Sequence, residues 1–334
     1  MQNLVFVFLL MLLTSIVAAE PLQPDIFDNR PLKLASVNLS STSVSQYDLL
    51  EIKVDLQGKY TDAFDPDQID LSAKVSLPNN PTVIIPGFFY QNYKRRLNGN
   101  SELLERAGDS HWLIRYAPAK PGKYTIVVLA KDSSGKTVKS GKFSFTCIHS
   151  DKTGYVRISK KDHRFFETDN GAGYFPIGAN VCWAGSRGTY DYDNWLPEYG
   201  KADCNYIRIW LAPYWGTFGL EKTDKASANS GVGRIDQSAA WRLDYVLDLA
   251  QKNGIRAMLC LDSFNTLRKD ADGGYPCWEN SPHFINNGGP LKEPVEFWTN
   301  PSMLKAYRNK LRYMVARYGW RTNVLSWEFW NEVD

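Results

Sequence analysis

The stretch VLSWEFWNEVD (324–334) decides the fold. Val324, Leu325, Trp327, Phe329 and Trp330 make it an apolar run of the kind that fits a pleated, buried surface. The run delivers two polar residues, Asn331 and Glu332, to its C-terminal tip. Side chains alternate along a strand, so Glu328 and Glu332 share a parity. A carboxylate facing an interior needs a cation, because an unpaired buried charge is costly. Glu328 is therefore expected to be structural and paired with an arginine.

Working back from this strand, the sequence alternates between two periods. Residues 301–318 form a helix opened by Asn300 as cap and Pro301 in the first turn, with Leu304, Tyr307, Leu311, Met314 and Tyr318 on one side and Gly319 at its end. IRAMLCLD (255–262) is a strand ending in Asp262. DQSAAWRLDYVLDLAQKNG (236–254) is a second helix, capped by Asp236 and closed by Asn253-Gly254, with Ala240, Leu243, Leu247 and Ala250 as its stripe. CNYIRIWLA (204–212) is a strand carrying Arg208 in an apolar setting, where a carboxylate partner is expected. YDYDNWLPEYGKAD (190–203) is a short helix, and YFPIGANVCW (174–183) a first buried strand ending at Trp183. Four strands separated by helical patterns predict βαβαβαβ with a parallel sheet. The connections after strands are long, at 213–234 and about 38 residues from 262 to 300, while those after helices are short. A (β/α)8 barrel builds its site from the long set. An open doubly wound sheet shows the same asymmetry, but no GxGxxG or phosphate loop follows any strand.

Residues 33 to about 148 read as all-β. LLEIKVDL (49–56), KYTIVVLAK (123–131) and KFSFTC (142–147) alternate apolar and polar residues, the mark of half-buried strands. LPNNP (77–81), KPGK (120–123) and DSSGK (132–136) supply turns between runs. About seven runs and no convincing helix predict an immunoglobulin-like sandwich. The grammar changes after IHSDKTG (148–154).

The N-terminal run LVFVFLLMLLTSIVAA (4–19) is uncharged, shorter than a membrane span prefers, and ends in small residues, so residues 1–19 are expected to be a cleaved signal peptide of a secreted protein, extracellular or periplasmic. An uncleaved anchor is the alternative. No later run is long enough for a membrane. The net charge of +3 without a charge run gives no reason to expect a nucleic-acid partner. Five cysteines leave at least one unpaired, and Cys182, Cys204 and Cys260 read as small buried residues. His111, His149, His163 and His283 are scattered, which supports neither a metal site, nor a Ser-His-Asp triad, nor any cofactor.

From about Gly154 onward the chain resembles the retaining glycoside hydrolases of the large (β/α)8 clan that includes family 5 cellulases and β-galactosidases. FPIGAN (175–180), NYIRIWL (205–211), MLCLDSFN (258–265) and LSWEFWNEVD (325–334) carry the resemblance in the right order. The sandwich, with PGFFYQNYKRR (86–96) and WLIRYAPAKPGKYTIVV (112–128), resembles the N-terminal domain of unassigned function (DUF5060) that often precedes such barrels. The resemblance implies that Glu332 is the general acid/base and that Asn331 binds the sugar 2-hydroxyl. It also implies that Arg208 holds the nucleophile carboxylate. Trp183 and Asp262, at strand ends, are expected substrate contacts, and Asp262 could also serve as the second carboxylate. Such chemistry needs one carboxyl to protonate the leaving oxygen and a second about 5–5.5 Å away as nucleophile. The clan's nucleophile lies on strand seven, whereas residues 151–334 read as four strands of a barrel that takes about 250 residues.

The expected organisation is thus multidomain: a signal peptide (1–19), an immunoglobulin-like sandwich (30–150) and the first half of a TIM barrel (151–334). It is the front portion of a secreted hydrolase of poly- or oligosaccharides, inactive in isolation. The alternative is a non-catalytic secreted carbohydrate-binding protein. Aromatics are 13 per cent of the chain, so some are free for sugar stacking. Tyr214, Trp215, Phe218, Tyr275 and Trp278, in the long loops, are the candidates. GFFYQNYKRR (87–96) is expected to pack in the core or against the barrel half, with a glycan platform as the other reading.

Overall fold

The computed structural model describes residues 25–79, 81–211, 217–223 and 230–332. The signal-peptide stretch, Tyr214 and Trp215 lie outside the described residues.

Twelve strands occupy the first part of the chain: β1 (Asp28–Leu39), β2 (Ser43–Ser45), β3 (Leu50–Tyr60), β4 (Ile69–Ser76), β5 (Thr82–Pro86), β6 (Phe88–Tyr90), β7 (Tyr93–Asn98), β8 (Ser101–Arg106), β9 (His111–Tyr116), β10 (Gly122–Asp132), β11 (Thr137–Lys139) and β12 (Phe143–Ile148). One sheet runs β1-β3-β9-β6 and another β2-β12-β10-β4-β5, with β11 on β10. Their inward residues, among them Ile52 and Val54 of one sheet and Ile126 and Val128 of the other, fill one core. The alternation that marks these strands in the sequence is the alternation of burial. The strand count exceeds the seven runs visible in the sequence, because three-residue strands are too short to show a period. β7 and β8 pair only with each other, as a separate hairpin.

A small antiparallel sheet follows: β13 (Val156–Ile158), β14 (Phe166–Thr168) and β15 (Gly173–Tyr174). Then come β16 (Gly178–Asn180), α1 (Thr189–Lys201), β17 (Tyr206–Trp210), α2 (Gln237–Lys252), β18 (Arg256–Ser263), α3 (Pro301–Tyr318) and β19 (Val324–Asn331). The last four strands form one parallel sheet in chain order. The helix caps read from the sequence are real. Asp236 accepts from the backbone N–H of Ser238 and Ala239, and Asn300 from those of Ser302 and Met303.

Two expectations change. The stretch 174–183 is not a buried strand. Tyr174 pairs with Phe166 in the small antiparallel sheet, Gly178–Asn180 joins the parallel sheet through β17, and Phe175 and Ile177 are exposed. A Cβ on Gly178 would stand 1.7 Å from the Tyr206 carbonyl oxygen, so the close approach of β16 to β17 demands glycine. The buried face of α3 is also not the predicted apolar stripe. Leu304, Tyr307 and Leu311 are only half-buried, while Lys310 and Arg317 are buried with Met314 and Tyr318.

Those charges have partners on other elements. α3 packs on the sandwich, where Tyr313 meets Phe64 and Phe88 edge to face. GFFYQNYKRR thus packs in the core and against the helical layer, with Phe88, Phe89 and Tyr93 buried. At the same seam Arg115 of β9, Arg317 of α3 and Arg321 surround Asp244 of α2 at 2.8, 2.8 and 3.1 Å. Glu51 and Asp248 pair with the outer edges of Arg115 and Arg321. Above the strand ends, the long connection after β18 builds its own core from Trp278, Leu291 and Phe297, with Met303 of α3 beneath and Trp330 against it. Among the described residues no helix is long and apolar enough to cross a membrane. All five cysteines are free, with Cys147, Cys260 and Cys277 buried and Cys182 and Cys204 half-buried.

Candidate functional site

The C-terminal ends of β17, β18 and β19 and the connection after β16 meet at a cleft of about 440 Å3 lined by Trp183, Trp210, Phe264, Asn265, Tyr275 and Glu332. Four aromatic side chains, one amide and one carboxylate are the described lining. Trp183 is 43 per cent exposed, and its ring meets that of Trp210 at 5.3 Å in a steep, edge-on arrangement. Tyr275 stands 78 per cent exposed at the rim of the cleft. Asn265 is pinned between its neighbours. Its Oδ1 accepts from the Ser263 hydroxyl at 2.8 Å and its Nδ2 donates to the Tyr275 carbonyl at 2.7 Å.

Glu332 ends β19 in the left-handed region, at φ 52°. That conformation is uncommon for a residue with a Cβ, and such strain collects at functional sites. Tyr275, at φ 60°, is in the same state. Among the described residues, two of the five non-glycine residues with positive φ therefore line this one cleft. The turn at Glu332 carries its side chain out of the sheet to an exposed position on the cleft wall.

Arg208 sits behind Glu332 and organises the end of the sheet. Its Nε donates to Glu328 Oε2 at 2.7 Å and its Nη2 to Glu328 Oε1 at 2.6 Å, a bidentate pair. Nη2 also donates to Asn331 Oδ1 at 2.7 Å. Its hydrogen bonds with Glu328 hold the guanidinium further into its charged form. A guanidinium only donates, so the Asn331 amide must turn its oxygen to Arg208 and its NH2 group away. That Nδ2 is buried and has no hydrogen-bond partner among the described residues. It is a donor ready for a ligand oxygen.

Of the five residues singled out in the sequence, the structure brings Glu332 and Trp183 to the cleft wall and sets Asn331 and Arg208 directly behind it. Arg208 does hold a carboxylate, but among the described residues that carboxylate is Glu328. Asp262 is a correction. It is 3 per cent exposed, and both its oxygens accept from Lys310 Nζ, at 2.9 and 3.1 Å. Burial raises its carboxyl above the ordinary range, and it shares the Lys310 ammonium with Glu221 at 3.3 Å. It neither touches substrate space nor pairs with Glu332 as a second carboxylate. Phe218 and Trp278 are corrections too. Both are fully buried, Phe218 on Tyr192 and Trp278 on Phe284, and neither is a stacking surface. The sequence reading missed Trp210, Phe264 and Asn265. The signal for Trp210 was present, since it shares the parity of Arg208 in the same strand.

A second depression, of about 300 Å3, lies at the seam near Glu102, Gly185, Lys222 and Arg242. Its charges are already paired, Lys222 with Asp236 and Arg242 with Glu102, both at 2.6 Å. It lacks the aromatic faces of the cleft.

No family model matches the chain. Among curated proteins it is similar to a mannan endo-1,4-β-mannosidase A of Aspergillus aculeatus, 26 per cent identical over 176 residues, covering 50 per cent of this chain and 42 per cent of the relative. It is also similar to a mannan endo-1,4-β-mannosidase F of Aspergillus clavatus, 28 per cent identical over 233 residues, covering 65 per cent of this chain and 49 per cent of the relative. The chain thus spans somewhat under half the length of these relatives. Among solved structures it shares its fold with a candidate glycoside hydrolase from Bacteroides vulgatus, at a TM-score of 0.56 and 18 per cent identity, over 88 per cent of this chain and 50 per cent of that one. The class the chain resembles is the glycoside hydrolases. Within that class its curated relatives are mannanases.

Proposed function

We propose that this chain is the front portion of a retaining glycoside hydrolase that cuts 1,4-β-linked mannan, with Glu332 as general acid/base. The observation that carries the reading is a strand-end carboxylate in a cleft walled by indole and phenol faces. An oriented, unspent amide donor on Asn331 stands next to it. Sugars present apolar faces to aromatic rings and hydroxyl oxygens to donors, so this lining suits a pyranose chain. Glu332 would protonate the departing glycosidic oxygen and then deprotonate the incoming water. Asn331 would donate to the hydroxyl beside the reacting carbon.

In this reading the four parallel strands are the first half of a (β/α)8 barrel, and the twelve-strand unit is an immunoglobulin-like, DUF5060-like domain at 30–150. Residues 1–19 direct secretion. The described cleft offers one carboxylate, and the match to the mannanases covers less than half of their length. Both support a nucleophile contributed by barrel strands outside these 334 residues.

The test uses a chain extended through four further strand-helix units and assayed on 1,4-β-mannan. Glu332→Gln is expected to lower kcat by about 10²–10⁴-fold, the usual worth of a general acid/base. The first-formed product should keep the β-anomeric configuration. Activity indifferent to Glu332→Gln would sink the assignment. A product of inverted configuration would sink the retaining mechanism.

The single carboxylate among the lining residues also favours a second reading, a secreted carbohydrate-binding protein without catalysis. Mannan binding that survives Glu332→Gln, with no turnover by the extended chain, would select it.

A further inference from the structure

The hairpin β7–β8 belongs to the sandwich lobe by sequence but joins neither of its sheets. It leans instead on the parallel-sheet lobe, along α1 and α2 and at the connection between β16 and α1. The Glu102 backbone N–H donates to the Ser186 carbonyl at 2.9 Å, and the Ser186 hydroxyl donates to the Asn100 carbonyl at 2.9 Å. The connection is thus stitched to the hairpin tip from both sides.

The start of α1 is stranger. Its N-cap is Gly188, at φ 56° and ψ −127°, with no side chain to cap the helix. The first N–H groups of a helix need acceptors, and a negative charge there is favoured by the helix dipole. Glu102, 87 residues away in sequence, takes the place of the missing cap. Its Oε1 accepts from the Thr189 N–H at 3.2 Å and from the Thr189 hydroxyl. Its Oε2 accepts from Arg242 Nε of α2 at 2.6 Å. A Cβ on Gly188 would stand 2.3 Å from that same Oε2, so glycine is required for the carboxylate to enter. A second anchor stands one turn away. The Arg95 guanidinium lies between the rings of Tyr190 and Tyr245, at 4.1 and 3.9 Å, and pairs with Asp193 at 2.8 Å.

We infer that the hairpin is a positioning strut, through which Glu102 fixes the connection 184–188 and thereby sets Trp183 in the cleft. Trp183 precedes that connection directly; on its other side the Cys182 carbonyl accepts from the Trp210 N–H at 3.1 Å, so the indole is set by that tie and by the connection that follows. Glu102 touches nothing in the cleft and acts through Thr189, Gly188 and Ser186. The sandwich lobe then shapes the substrate cleft without contacting substrate. The glycan-affinity part of this inference rests on the mannan reading above; the positional part does not.

The experiment uses the 334-residue chain with two readouts. Amide hydrogen exchange at residues 184–191 reports position, and quenching of tryptophan emission by 1,4-β-mannopentaose, with Trp183→Phe as reference, reports binding. Glu102→Ala is expected to speed exchange at 184–191 by about five- to tenfold, the effect of losing a helix cap, while β17 and β18 stay protected. Mannopentaose affinity should fall by a similar factor. Glu105→Gln, on the exposed face of the same hairpin, should change neither. Unchanged exchange at 184–191 in a folded Glu102→Ala chain overturns the proposal. If that variant loses protection throughout, Ser186→Ala is read in its place. It removes only the bond to Asn100, and unchanged exchange there overturns the proposal equally. A wild-type chain that ignores mannopentaose yet shows the exchange effect refutes the mannan reading and leaves the strut standing.

Discussion

Asp244 and Asp262 are both buried carboxylates held by cations of the α3 region, and their surroundings push them in opposite directions. At the seam between the lobes, Arg115, Arg317 and Arg321 balance Glu51, Asp244 and Asp248, three charges against three. Burial alone would raise the Asp244 carboxyl, but the three guanidiniums outweigh it and hold it well below the usual carboxylate range. Above the strand ends, Lys310 faces both Asp262 and Glu221, with His283 3.7 Å from Glu221 and Tyr307 alongside. Glu221 is lowered to about 2 by Lys310, His283 and the Gly233 N–H, against the pull of burial. Asp262 is left raised, by burial and by the neighbouring Glu221. Burial does not decide whether a carboxylate stabilises a fold. The number of cations facing it does.

The largest expected effect that tests this comparison is Asp244→Asn. Removing the common partner of three buried guanidiniums should cost about 3–5 kcal/mol in chemical denaturation of the chain. A loss below 1 kcal/mol would mean that the seam is not held by charge.

The pH dependences should come next in size, with opposite signs. Asp244 has a depressed folded value, so its stabilisation is full above its ordinary value of 3.8 and drains as pH falls below it. Asp262 has a raised folded value, so its contribution is full below 3.8 and drains as pH rises through the folded value. The wild-type advantage over Asp244→Asn should therefore shrink on acidification, and that over Asp262→Asn should shrink on moving towards neutrality. Each changes by at most about 1.4 kcal/mol per pH unit, the limit for one proton. Parallel slopes would break the comparison. The smallest effect is Asp262→Asn itself near pH 7, expected within about 1 kcal/mol of wild type, since an amide gives up the ammonium pair but no longer adds charge to Glu221.

Much of this architecture is legible in single residues. Alternation placed Ile52, Val54, Ile126 and Val128 in one core, and Asp236 and Asn300 announced their helices. The apolar run before Asn331 and Glu332 named the strand and its chemical end. What stayed hidden depends on partners distant in sequence. The buried charges of α3 could not be read from its apolar stripe, because the carboxylates of Lys310 and Arg317 lie 48 and 73 residues away. Asp262 read as a strand-end ligand for the same reason. Phe218 and Trp278 looked like loop aromatics free to stack, and nothing in their neighbourhood reveals the main core that takes Phe218 or the small core that the connection after β18 builds around Trp278. Glu328 is the counter-example. The cost of an isolated charge on an inward parity was enough to demand an arginine, and Arg208 is there.

The seam also bears on modularity. Arg115 belongs to the front lobe, while Asp244, Arg317 and Arg321 belong to the rear. Cutting the chain near residue 150 would strip one charge from a balanced set and bare Phe88 and Tyr313 together. Neither half is then a portable part. The two should melt in a single cooperative transition, and a recombinant rear lobe would inherit β19 and its cleft without the surface that keeps them folded.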